Sequence, residues 1–407
     1  MIRPFATLAL MLMGSAGALA QPMSNAVATP TAPTPTSGTT PQLVTVFEPK
    51  TDGFRSIRIP AVVVSKQGTV LAFAEGRAAD ADQAKNKIIL KRSTNSGQSW
   101  EPVKIIAERE DLALNNPCAV VEQQSGRILL MVQSYKIGIS ERSNTIRTGY
   151  DGDAVVRNWL ITSDDDGKTW SAMRDVTRST KRPTKVTTIA SGPGIGIQLT
   201  RGKHAGRILM PFNEGPFGIW NIYAVFSDDR GDTWKMGEIA PNGLIPAGNQ
   251  RLSSLVNEAQ LVELSDGSVR FNVRRWAGKA VRKTAISRDG GETWSNVADV
   301  PELIDPSCMA SILRLAPATP NALPELIYSG PQSTKRERGT VFLSRDDGQT
   351  WPIRRVLVPG AFAYSCLTQL PDGQIGCLYE ADGTQRVMWA RFSREWLLAN
   401  EPTPPSR

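Results

Sequence analysis

Histidine and cysteine are scarce in this chain of 407 residues, which has one histidine and four cysteines. With His204 alone, there is no His-rich metal site and no Ser–His or Cys–His machinery that does without it. His204 stands in Arg201-Gly202-Lys203-His204-Ala205-Gly206, which reads as a surface loop. Cys118, Cys308, Cys366 and Cys377 are too few for a disulfide scaffold at this length, and their spacing is not that of metal ligands. They read as buried small residues first and as a bridge second. No apolar run is long enough to span a bilayer. The net charge of +8 is mild, and no basic stretch is interleaved with aromatics. Nucleic acid is therefore not an expected partner, while a small anionic substrate stays open.

What is present is globular: 40% hydrophobic and 21% charged residues. The 34 glycines, 28 prolines and 10 tryptophans point to many turns and short strands. Residues 1–20 read as a signal peptide, with Arg3 at the start, an apolar run over Leu8 to Met13, and the small-x-small site Ala18-Leu19-Ala20. Export to the periplasm or the medium is expected, without a lipid anchor, since no cysteine follows that site. Residues 21–41 form a Pro/Thr/Ala-rich linker, 42–399 one domain of uniform texture, and 400–407 a tail.

The domain repeats. Ser93 to Trp100 recurs as Ser163 to Trp170, Ser227 to Trp234, Ser287 to Trp294 and Ser344 to Trp351, on the pattern S-x-D-x-G-x-T-W. Asn95 and Ser99 are the departures, and the tryptophans are 70, 64, 60 and 57 residues apart. The Asp folds back on backbone N–H groups, the Gly takes a positive φ, and the Trp is expected to bury the turn against its own sheet.

Between these boxes lie apolar strand pairs about a Gly turn. They are Ile59–Val64 with Val70–Ala74, Ala119–Val121 with Ile128–Val132, Gln260–Leu264 with Val269–Val273, and Leu367–Leu370 with Ile375–Leu378. Two less regular pairs fit near 195–212 and 309–329. Six hairpins alternating with five boxes predict an all-β, six-bladed β-propeller. A strand near Gln42–Phe47 should pair with Val387–Phe392 to close the ring, and Arg394–Ala399 is the best short helix.

The turns Ser265-Asp266-Gly267 and Pro371-Asp372-Gly373 suggest three-residue loops with a bulge at Gly. The flanking residues then pair with index sums of 532 and 744, setting Glu258 across from Arg274 and Tyr364 across from Glu380. A Glu beside an Arg is a common structural ion pair, but a Tyr facing a Glu at the matching place is less easily dismissed. Arg58, Arg274 and Arg336 lead into or sit on apolar strands. Three guanidiniums converging on one axis would repel one another unless an anion joined them.

These residues stand in motifs that resemble the sialidase (neuraminidase) family. Ser56-Ile57-Arg58-Ile59-Pro60 is similar to its (F/Y)RIP motif, and Leu71 to Arg77 follows it as LAFAEGR. Further matches are Asn116-Pro117, Gly192-Pro193-Gly194, Asn257-Glu258-Ala259-Gln260 and Ala363-Tyr364-Ser365, so that the likeness covers roughly residues 45–395. It implies that Arg58, Arg274 and Arg336 hold a substrate carboxylate, with Arg338 as the rival for the third place. It further implies that Tyr364 is the nucleophile, Glu258 its proton acceptor and Asp82 the acid/base, with Asp80 as runner-up. Glu380 would hold Arg58, and Glu75 and Arg77 would support the Asp82 loop. Lys85-Asn86-Lys87, Ile195 and Asn95 depart from the family pattern.

The implied activity is that of a retaining exo-α-sialidase on sialylated glycans, acting as a monomer with no cofactor and no metal. The oxocarbenium-like transition state of sialic acid sits beside its own carboxylate, and a neutral tyrosine avoids adding a second negative charge there. Alternative readings are a non-catalytic sialic-acid-binding propeller, or a trans-sialidase or deaminated-sugar hydrolase using the same residues.

Overall fold

In the computed structural model, residues 40–247, 251–317 and 323–399 are described. The expected leader, most of the linker and the 400–407 tail lie outside them. The chain is an all-β, propeller-like arrangement of antiparallel sheets. In the first sheet, Ser56–Val64, Val70–Arg77, Lys87–Ser93 and Lys104–Ala107 lie side by side in chain order. The second holds Leu112–Val121, Ile128–Lys136, Arg157–Ser163 and Arg174–Asp175, and Gly194–Ile195 joins its leading strand in parallel. The third is built on Thr188–Ser191, Ile208–Gly215, Asn221–Ser227 and Lys235–Met236, the fourth on Val256–Glu263, Val269–Arg275, Val281–Thr284 and Ala298–Ile304. The leading strands pack against one another, Ser56–Val64 touching both Leu112–Val121 and Ile353–Gln369.

Where two further separate sheets were expected, there is one of seven strands. The cause is Ile353–Gln369, a strand of 17 residues. Its first half pairs with Glu337–Ser344 and its second half with Ile375–Ala381. At the far edge Gln42–Phe47 pairs with Arg386–Phe392, as expected for closure, and Arg394–Leu398 forms the short helix, with Ser393 as its cap.

The repeated turns hold as their chemistry dictates. In the second box Ser163 Oγ donates to Asp165 Oδ1, and the Gly167 N–H donates to Ser163 Oγ. The Thr169 N–H and hydroxyl both donate to Asp165. Asn95 keeps the same pattern, accepting from Ser93 Oγ and the Ser99 N–H. The tryptophans depart in part from the expectation. Trp294 packs against Phe271 of its own sheet, but Trp170 meets Phe73 and Trp100 meets Trp389, both on neighbouring sheets. A Cβ at Gly167 would strike Leu71, and one at Gly97 would strike the Trp389 indole. The boxes therefore fasten one sheet to the next. All four cysteines are free and buried, and His204 ends a single 3-10 turn. No helix among the described residues is long and apolar enough to cross a membrane.

Candidate active site

Four leading strands share one irregularity. Pairing is regular from the turn up to Ala259↔Val273 and Ser365↔Tyr379, as the index sums require. It then skips to Val256↔Arg275 and Phe362↔Ala381. The same skip occurs between Arg58 and Ala61 and between Asn115 and Cys118. Each is a bulge of one extra residue, which bends the strand and re-aims side chains. Glu258 and Arg274 are therefore not ladder partners, nor are Tyr364 and Glu380, because the bulge falls on Glu258 and Tyr364 themselves. Ile59 (φ 63°) and Asn116 (φ 50°) sit in the left-handed region within these bulges. That conformation is costly for a β-branched residue. Buried carboxylates hold both in place: Glu380 Oε1 accepts the Ile59 N–H at 2.9 Å, and Glu75 Oε1 accepts the Asn116 N–H at 2.7 Å.

The re-aimed side chains converge. Tyr364 Oη donates to Glu258 Oε2 at 2.7 Å and Oε1 at 2.9 Å. Arg274 NH1 donates to Tyr364 Oη and to Glu258 Oε2, each at 2.6 Å. Around the same phenol ring stand the guanidinium carbons of Arg58, Arg274 and Arg336, at 5.5, 5.9 and 5.3 Å from its centroid. Arg58 is forked onto Glu380, with Nε to Oε1 at 3.1 Å and NH2 to Oε2 at 3.0 Å. Arg336 donates NH2 to the Ser307 carbonyl at 3.0 Å. Arg338, two residues on, is exposed and lines a separate cleft with Arg354 and Arg355.

Burial alone would raise the Glu380 carboxyl. The Arg58 charge, hydrogen bonds from Arg58 and the Ile59 N–H, and the Arg336 charge outweigh that and hold it below the usual value. Burial pushes the Tyr364 phenol well above its ordinary value. The three arginines oppose the shift, Arg274 most strongly, and the Glu258 charge adds to it. The phenol is thus neutral at rest, with an acceptor already in contact.

Asp82 stands across the cavity, half exposed, with Oδ1 2.9 Å from Arg77 NH1 and 3.8 Å from Arg58 NH1. Arg77 is buried and bound to Glu75, which in turn holds the Asn116 bulge. The Asp82 carbonyl accepts from Asn86 and Asn115, each at 2.7 Å. Asn86, within the stretch that departs from the family, thus steadies the loop. Asp80 points elsewhere, to an exposed pair with Arg55.

Arg58, Arg77, Asp82, Glu258, Arg274, Arg336 and Tyr364 line a cavity of about 250 Å³, together with residues not singled out from the sequence: Glu141, Arg142, Gln133, Asn213, Trp220 and Trp276. Burial, and then the charges of Asp82 and Glu258, push the Glu141 carboxyl up to about 7. Trp220, Trp276 and Phe217 form an edge-to-face cluster, and Arg142 lies over Phe217 at 5.0 Å. Trp276 had a readable signal, two residues past Arg274 at a strand end. Glu141 and Arg142 lie in a loop without periodicity. Neither His204 nor any free cysteine lines the cavity.

Residues 68–377 match the BNR repeat-like domain family. A sialidase of Micromonospora viridifaciens is 35% identical over 359 residues, covering 85% of this chain and 53% of that protein, so the chain spans about half its relative's length. Sialidase-2 of Cricetulus griseus is 30% identical over 373 residues, covering 84% of this chain and 93% of that one. The solved structure of Hadza microbial sialidase Hz136 superposes with a TM-score of 0.77 at 26% identity, over 87% of this chain and 69% of that one. The leech intramolecular trans-sialidase shares the fold, with a TM-score of 0.74 at 21% identity over 88% and 71% of the two chains. A repeat match across most of the domain and a relative aligned almost end to end carry one conclusion: the chain belongs to the sialidase family of glycoside hydrolases.

Proposed function

We propose that the chain is an exo-α-sialidase that hydrolyses terminal sialic acid from glycans with retention of configuration. The observation that carries this reading is the Tyr364 hydroxyl bonded to Glu258 amid three arginines. Arg58, Arg274 and Arg336 clasp the substrate carboxylate, which sets the anomeric carbon beside Tyr364 Oη. As the bond to the leaving oxygen breaks, Asp82 gives that oxygen its proton. Tyr364 Oη bonds to the anomeric carbon and passes its own proton to Glu258. In the second step Asp82 takes a proton from water, whose oxygen attacks the same carbon from the side the aglycone left. Tyr364 departs and recovers its proton from Glu258. Two displacements give retention.

We read the seven-stranded sheet as two blades sharing Ile353–Gln369, which makes six in all. The leader-like residues 1–20 support export, and a monomer suffices because the cavity is lined by one chain. Purified protein should release the fluorophore from a sialic acid α-ketoside, and NMR of early product should show the α anomer first. Early β anomer would overturn retention, and no turnover of any sialoside would overturn the hydrolase reading.

A further inference from the structure

Arg336 differs from the other two arginines of the cluster in how it is held. Glu380 forks Arg58 and Glu258 grips Arg274, whereas among the described residues the Arg336 guanidinium hydrogen-bonds only to the Ser307 carbonyl. Its position is therefore only as well defined as the loop that carries Ser307. That loop is unusual, since Ser307 itself has φ 58°, a conformation that persists only where its surroundings over-determine it.

Asp305 supplies those surroundings. Its side chain is wholly buried, at the end of the Ala298–Ile304 strand. Oδ1 accepts the Cys308 N–H at 2.9 Å, and Oδ2 accepts both the Arg275 N–H at 2.7 Å and Arg282 NH1 at 2.9 Å. Arg282, also buried, donates to the Cys308 carbonyl at 2.7 Å and to Asn272 Oδ1 at 3.0 Å. Arg275 NH1 reaches Ser307 Oγ at 3.2 Å. One carboxylate thus binds the loop whose Ser307 carbonyl holds Arg336 and the backbone next to Arg274. Cys308 and Met309 also pack with Ile59, Ala363 and Tyr364 in one small cluster, so the same loop is the bed of the phenol.

We propose that Asp305 is a positioning residue that fixes the spacing between Arg336 and Arg274, so that both reach one substrate carboxylate. It touches no substrate itself, and the inference rests on the carboxylate-clasping reading above. A buried ion pair whose carboxylate accepts three hydrogen bonds is rigid, and that rigidity reaches the site through two backbone contacts. Removing the charge frees Ser307 to relax and lets Arg336 swing.

The test compares two competitive inhibitors on full-length protein: an unsaturated sialic acid analogue with a free carboxylate, and its methyl ester. The wild type should bind the acid far more tightly than the ester. In Asp305→Asn the acid-to-ester ratio should fall at least tenfold while ester affinity changes little, although the thermal midpoint drops because buried Arg282 loses its counter-charge. A merely structural residue would weaken both ligands alike, so an unchanged ratio in folded Asp305→Asn overturns the proposal. Should that variant not fold, Ser307→Gly, which tolerates the positive φ but frees the loop, must lower the ratio at least threefold. An unchanged ratio there is equally fatal. A wild type that does not distinguish acid from ester would instead sink the carboxylate-clasping reading.

Discussion

Tyr364 Oη and Glu258 Oε2 lie 2.7 Å apart although 106 residues separate them in the chain and they belong to different sheets. Each sits in a bulge of a leading strand, and without those bulges neither side chain would be re-aimed toward the other. Tyr364→Phe keeps the ring that the arginines surround but removes the attacking oxygen. It should lower kcat by roughly 10³-fold or more with little change in thermal midpoint. Glu258→Gln should cost roughly 10²–10⁴-fold, the usual range for a lost general base. Steady-state kinetics on an aryl sialoside checks both, and near wild-type turnover by Tyr364→Phe would remove the nucleophile from the scheme.

Glu380 is fully buried, so its loss should show in stability as well as in rate. Glu380→Gln leaves Arg58 with only the more distant, half-exposed Asp82 as counter-charge and should destabilise the fold by about 3–5 kcal/mol. The pH dependence follows from the lowered carboxyl value. Stability from this pair is complete above the unfolded carboxyl value near 4.5 and is lost as pH falls through the lower folded value. The gap between wild type and Glu380→Gln in urea melts should therefore be widest at neutral pH and shrink below pH 4. A constant gap would mean the charge is not what stabilises.

Glu141 should behave in the opposite sense. Its folded value of about 7 lies above the ordinary 4.5. The folded state therefore keeps the proton that the unfolded chain has already lost, and stability declines as pH rises from about 4.5 to 7. Glu141→Gln removes that penalty, by no more than about 3 kcal/mol. The variant should match wild type near pH 4.5 and out-melt it at pH 8. A variant that is less stable at pH 8 would refute the assignment.

Gly97 tests how a box fastens one sheet to the next. Its φ is +82°, and a Cβ there would overlap the Trp389 indole, which is fully buried. Gly97→Ala should lower stability by roughly 2–4 kcal/mol through strain and overpacking. Gly53→Ala, with φ +81° but open space around the added Cβ, isolates the backbone part of that cost. Equal losses at the two sites would mean the Trp389 contact contributes nothing.

Much of this was legible in the sequence because the boxes and the x-Asp-Gly turns are local. Serine, aspartate, glycine and threonine close each turn among themselves within eight residues, whatever the rest of the fold does. The bulges were not legible. A period-2 pattern carries no mark of one extra residue where a strand ends, so Glu258–Arg274 and Tyr364–Glu380 were set in register when the structure skips there. Nor can alternation separate Arg336 from Arg338, which share strand parity. A φ of 56° at Arg338 and the carbonyl of Ser307 decide between them. Glu141 reaches the cavity from a loop, and Asp305 acts through backbone N–H groups. Neither leaves a pattern along the chain.

The choice between Asp82 and Asp80 yields the sharpest kinetic test. Asp82 lines the cavity and is bonded to Arg77, while Asp80 faces Arg55 outside it. A general acid matters in proportion to how poorly the leaving oxygen departs unaided, since a phenolate of low basicity needs little protonation. Asp82→Asn should therefore lose far more kcat/KM on a sialyl-lactose than on a nitrophenyl or coumarin ketoside, by about 10²-fold or more between the two. The second step still needs a base to activate water, so the variant should also accumulate covalent enzyme on the activated substrate, visible as a burst followed by slow turnover. Asp80→Asn breaks only an exposed ion pair, about 0–1 kcal/mol in stability, and should leave both substrates untouched. If Asp80→Asn discriminated between leaving groups and Asp82→Asn did not, the proton would have to enter from the other side of the loop.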